Sequence, residues 1–113
     1  MLLRICNGDV YLFVQDSYEL PLAVVDEIVE KTPQQVGFQV PVRTTRTNIL
    51  GFKYGPLYGV GYCTGSLSWD ECVDCLISAR SQLFQVCSNR GKGAQIHLKD
   101  RAIRYEEYEI DDL

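Results

Sequence analysis

A small α+β domain is the fold class that three observations predict. Two segments place apolar residues at helical spacing, several shorter ones alternate apolar and polar residues, and 113 residues carry five cysteines. A chain of this length forms one core with a thin margin, so residues 1–113 read as a single domain, with the core over about 5–108, in which covalent staples matter. Hydrophobic residues at 46% against 23% charged give a globular balance and exclude a disordered chain. Fifteen acidic against eleven basic residues, a net charge of -4, argue against nucleic acid or an anionic membrane as the main partner. No apolar run approaches the roughly 18 residues of a membrane span. Arg4 follows Met1-Leu2-Leu3 at once, so no signal-peptide core is read there; the expectation is a soluble chain or a mature piece of a longer precursor.

Ile5 to Val14 is β-prone and broken by Asn7-Gly8-Asp9, which predicts a strand, a tight turn and a second strand. From about Tyr18 to Lys31, Leu20, Val24 and Ile28 fall at helical spacing, with Asp26, Glu27 and Glu30 as a wet face. Ser17 is the expected N-cap, Pro21 sits in the first turn, and Thr32-Pro33 closes the helix. Val36, Phe38, Val40 and Val42 then alternate as a half-buried strand, and Pro41 assigns it to an edge or a bulge. The polar stretch Arg43 to Asn48 continues it into a hairpin. Leu57 to Tyr62 is a further strand whose glycines signal a close neighbour over its backbone.

Ser68 and Glu71 form a capping box for the second helix. Trp69, Cys72, Leu76, Ala79, Leu83 and Val86 make its apolar stripe, opposite Asp74, Ser78, Ser81 and Gln85, and Asn89-Arg90-Gly91 ends it. Ala94, Ile96 and Leu98 open a last strand running to about Tyr108. Its alternation changes phase at Asp100-Arg101, for which a bulge is the simplest account. The acidic tail from Glu106 to Asp112 reads as a solvated end.

The cysteines leave three readings. Cys63, Cys72, Cys75 and His97 supply a zinc donor set, although Cys72-x-x-Cys75 lies inside a helix and not on a knuckle. A redox CxxC belongs at a helix N-terminus, and here Ser68 to Glu71 already form the first turn. A disulfide framework suits so small a domain best.

The run from Tyr62 to Cys75, YCTGSLSWDECVDC, resembles the C-x8-C-x2-C signature of the plant ginkbilobin-type, or stress-antifungal, cysteine-rich domain. Ile5-Cys6-Asn7, Val86-Cys87, Gly93-Ala94 and Ile103-Arg104-Tyr105-Glu106 agree with it, so the likeness extends from about Cys6 to Tyr108. This resemblance implies two helices packed on one face of a five-stranded antiparallel sheet. It also implies bridges Cys6–Cys87 and Cys63–Cys72. A third family bridge would pair Cys75 with position 101, which is Arg101 here, so Cys75 is expected to remain an unpaired thiol. Arg101 is then expected to swing toward solvent along the sheet edge and to reach Asp100 or Asp74, because an inward unpaired guanidinium is costly.

Family members that bind mannose use an Asn after the first cysteine, an Arg early in the last strand and a Glu after its Tyr. Those positions fall on Asn7, Gln95 and Glu106. Asn and Glu suit the reading of sugar hydroxyls; Gln95 keeps a donor but loses the charge and fork of Arg. Against this, Asn7 also reads as a turn residue and Glu106 as a solvated strand end. His97, the sole histidine, points away from Ile96 and Leu98. Tyr54, Tyr58 and Tyr62 read as sheet packing or as a stacking surface. No catalytic triad order or phosphate-cradling loop points to an enzyme, and no metal or cofactor is implied.

The resemblance therefore implies a secreted, apoplastic defence module that binds mannose-containing glycans. A second reading is a protein-interaction ectodomain, as in cysteine-rich receptor-like kinases and plasmodesmal proteins. A third is a metal-bound or redox-active cytosolic domain.

Overall fold

Along the chain, extended and helical segments follow one another as β1 (Leu3–Cys6), α1 (Gln15–Lys31), β2 (Val40–Thr47), β3 (Lys53–Cys63), α2 (Trp69–Val86), β4 (Ala94–His97) and β5 (Arg101–Glu106). These come from a computed structural model that describes residues 3–7, 15–47, 50, 51, 53–87, 91–111 and 113. The five strands form one antiparallel sheet in the order β1-β4-β5-β3-β2. α1 lies over β2 and β3, and α2 over β4 and β5. Both helices cover the same face: Leu20, Val24 and Ile28 of α1 and Leu76, Ala79 and Leu83 of α2 share one core with Leu57, Ile96, Ile103 and Tyr105 of the sheet.

α2 begins as its sequence predicts. Ser68 Oγ accepts from the Glu71 N–H, and Glu71 Oε1 accepts from the Ser68 N–H. The Ser68 hydrogen bonds, led by its backbone N–H, hold the Glu71 carboxyl below the usual carboxylate range. The middle of the stripe is buried, but Trp69 and Val86 at its ends are exposed. α2 stops at Val86 with Cys87 as its C-cap, before the predicted Asn89-Arg90-Gly91; Asn89 and Arg90 lie outside the described residues.

Other expectations change. α1 starts at Gln15, so Ser17 is inside the helix and not its N-cap, and Pro21 is an interior residue. A single 3-10 turn, Thr32–Gln35, continues it past Lys31. Val36 and Phe38 do not belong to β2: Gly37, at φ +92°, turns the chain, and Phe38 is left exposed. β2 is an edge strand, as Pro41 indicates, and its pairing with β3 shifts register between Thr44 and Arg46. The strand predicted after Asp9 lies outside the described residues. The segment read as one long last strand with a bulge is two strands, β4 and β5, paired with each other through a turn over residues 98–100. The phase change at Asp100-Arg101 is the signature of that reversal.

Cys6 is bonded to Cys87 with Cα atoms 5.4 Å apart, and Cys63 to Cys72 at 5.8 Å. Sequence separations of 81 and 9 residues correspond to about 4.5 and about 2.6 kcal/mol of loop-closure stabilisation in the chain-entropy account. Cys75 is a free, half-buried thiol.

The approach of α1 to β3 depends on two glycines. A Cβ on Gly59 would stand 2.8 Å from Ile28 Cδ1, and one on Gly61 would collide with Thr32 Oγ1 and Ile28 Cγ2. Replacing Gly61 by Ala therefore forces α1 off the sheet, with an expected loss of about 1–3 kcal/mol. Denaturant unfolding measures this; an unchanged midpoint and slope would show that α1 does not need the close approach.

Candidate functional site

The sheet face without helices carries the polar residues. On β4, Gln95 and His97 alternate with the buried Ala94 and Ile96; on β5, Arg104 and Glu106 alternate with the buried Ile103 and Tyr105. Pairing aligns these across strands, so that Ile5, Gln95, Arg104 and Val60 form one row and His97, Ala102 and Tyr62 the next.

Asn7, Gln95 and Glu106 come together in a cleft of about 200 Å³, with Ile5, Gly93 and Ala94 as the rest of its wall. Asn7 is brought there by the Cys6 bridge and by its backbone N–H, which donates to the Gly93 carbonyl at 2.8 Å. Glu106 is not a solvated end. It is 8% exposed, and Oε1 occupies the space a Cβ of Gly93 would need. Its other oxygen accepts from Arg104 Nε at 3.1 Å. Arg104 also donates through Nη2 to the Tyr108 hydroxyl at 3.0 Å, with the Tyr108 ring centroid 6.0 Å from the guanidinium carbon. Sequence reasoning missed Arg104, Gly93 and Tyr108. A residue directly across the β4–β5 pair from Gln95 is visible only once the two strands are known to be antiparallel neighbours.

His97 Nε2 lies 2.8 Å from Gln95 Oε1, which fixes the amide. Burial, together with the charge of Arg104, holds the imidazole below its ordinary 6.5. Tyr58 and Tyr62 are half-buried on this face, while the Tyr54 side chain lies outside the described residues.

Arg101 departs from expectation. It reaches Asp100 at 2.7 Å but stands on an inner strand opposite Cys63, only 18% of its side chain is exposed, and Nε is buried without a hydrogen-bond partner. It has no sheet edge along which to swing out. Of the zinc donors considered, Cys63 and Cys72 are spent on each other. Among the described residues, no three His, Cys, Asp or Glu side chains converge as a metal cluster, and no helix is long and apolar enough to cross a membrane.

Comparison with known proteins adds three observations. In sequence, a 53-residue stretch is 40% identical to the antifungal protein ginkbilobin-like protein 1 of Picea sitchensis and 38% identical to ginkbilobin-like protein 2 of Picea glauca. It covers 47% of this chain and 39% of each relative, so the match spans well under half of those proteins. In fold, the tandem DUF26 ectodomains of the Arabidopsis thaliana cysteine-rich receptor-like proteins PDLP5 and PDLP8 superpose with TM-scores of 0.74 and 0.75, at 21% and 16% identity. They cover 95% and 96% of this chain, which in turn covers 49% and 50% of them. The family described as salt stress response/antifungal matches residues 6–108, and the chain belongs to it.

Proposed function

We propose that this chain is an extracellular carbohydrate-recognition module that binds mannose-containing glycans through Asn7, Gln95 and Glu106. The observation that supports it most is the convergence of these three residues, one just after β1 and the others in β4 and β5, in one cleft. Asn7 and Gln95 offer amide donors and acceptors, and Glu106 offers a carboxylate held in place, which is the inventory that orients sugar hydroxyls. Gln95 carries no charge, but Arg104 stands directly opposite it and brings a guanidinium to the same patch. Its ion pair with Glu106 balances the carboxylate's charge beside the cleft. Two disulfides suit an oxidising, extracellular setting.

A second reading, a protein-interaction ectodomain, is favoured by the fold likeness to tandem ectodomains of which this chain spans about half. Leu3 and Ile5, exposed at the β1 edge, would then belong to a contact.

Titrating mannose into isotopically labelled protein distinguishes the two. The sugar reading expects amide shifts at Asn7, Gly93, Gln95 and Glu106, and about tenfold or weaker binding in Glu106→Gln and in Arg104→Met. No shift with sugar in the millimolar range would overturn it and leave the ectodomain reading. A pH series checks the burial of His97 beside Arg104. Above about pH 6.5 the imidazole is neutral in both the folded and unfolded chain; below it the unfolded chain takes the proton more readily, so stability falls as pH drops toward the lowered folded value. His97→Gln should flatten the loss of melting temperature between about pH 7 and about pH 5. Superimposable profiles would assign the loss to other groups.

A further inference from the structure

The open face carries a second cleft, of about 270 Å³, next to the first. Gln39, Tyr62, His97, Lys99, Arg101 and Leu113 contribute to its wall. The two clefts share a partition: His97 lines the second, Gln95 lines the first, and the two side chains are bonded to each other. Along β4 these residues are two apart on one face, a step of about 7 Å, which is on the order of one sugar residue in a linear chain. Each cleft is smaller than the roughly 300–1,000 Å³ that takes a drug-sized ligand, and so suits a single ring.

The second cleft has its own means of holding a sugar. Tyr62 offers a half-buried aromatic ring, the element that packs against the apolar face of a pyranose. Gln39 and His97 supply polar groups; Gln39 Oε1 already accepts from the Leu113 N–H at 3.2 Å, which makes Leu113 its outer wall. Arg101, at the start of β5, borders it.

Resting on the sugar-binding reading above, we infer that the ligand is a linear oligosaccharide of at least two rings. It lies along β4, with one ring against Asn7, Gln95 and Glu106 and the next against Tyr62, His97 and Gln39. A lone monosaccharide then fills only half of the site.

Titrations with mannose and with its α-linked disaccharide and trisaccharide test this. The disaccharide should bind about tenfold tighter than mannose, with amide shifts extending to Tyr62, His97 and Ala102. Tyr62→Ala should remove that gain while leaving mannose affinity within about twofold. Gln39→Ala, at an exposed position that does not endanger the fold, should reduce the gain in the same direction. Equal affinities for mono- and oligosaccharide, with shifts confined to the first cleft, would overturn the second subsite and leave the mannose reading standing. Absence of binding by every sugar would overturn both.

Discussion

β1 exposes all four of its residues and pairs with β4 alone, so neither burial nor a second neighbour holds it in the sheet. The Cys6–Cys87 bond does. It ties the strand to the C-cap of α2, where the Cys87 N–H donates to the Leu83 carbonyl at 2.7 Å. Without it, four exposed edge residues would face the entropy of an 81-residue loop unaided. Asn7 follows immediately and docks its N–H on Gly93, so one wall of the cleft exists because the bond exists. The staple therefore fixes both the edge of the fold and the edge of the site.

The packed core and the candidate site residues lie on opposite faces of one sheet. On the covered face, the glycines of β3 admit α1 and the stripe of α2 meets β4 and β5, so the apolar residues are consumed in packing. Alternation along each strand then places what remains, Gln95, His97, Arg104 and Glu106, on the uncovered face. Those side chains have no core to fill and are held instead by hydrogen bonds to one another. None of them belongs to the core cluster beneath the helices.

How much of this was legible depends on how local each signal is. The capping box and buried stripe of α2 were, because both lie within one helix. The close approach over Gly59 and Gly61 was legible as well, since glycine in a strand has few other uses. The β4–β5 hairpin was not: its turn, Leu98-Lys99-Asp100, contains no glycine or proline, and a phase change alone fits a bulge equally well. Asn7, Gln95 and Glu106 were named through the family resemblance, but that ambiguity hid Arg104 beside them. Read as a single strand, Gln95 and Arg104 are far apart; folded back, they are partners. For Glu106 the composition of the tail pointed to a solvated end and the resemblance to a site; its burial was not legible, since an acidic run looks solvated unless Gly93 is known to leave room beneath it.

The Arg104–Glu106 pair owes its place to geometry more than to energy. Both side chains are largely withdrawn from water, at 18% and 11% exposure, and desolvation offsets much of their attraction. What the pair fixes is direction. Arg104 Nε engages Oε2, Nη2 donates to the Tyr108 hydroxyl, and Oε1 rests over the Gly93 backbone in the cleft wall. An acceptor immobilised before a ligand arrives loses little rotamer freedom on binding, and the same holds for the Gln95 amide steadied by His97. A weak, hydroxyl-rich ligand gains most from such preorganisation, because each of its hydrogen bonds replaces one to water and little surplus is left to order the protein. On the sugar-binding reading proposed above, the ion pair serves to orient the ligand, while the disulfides and the helix-covered face carry the fold.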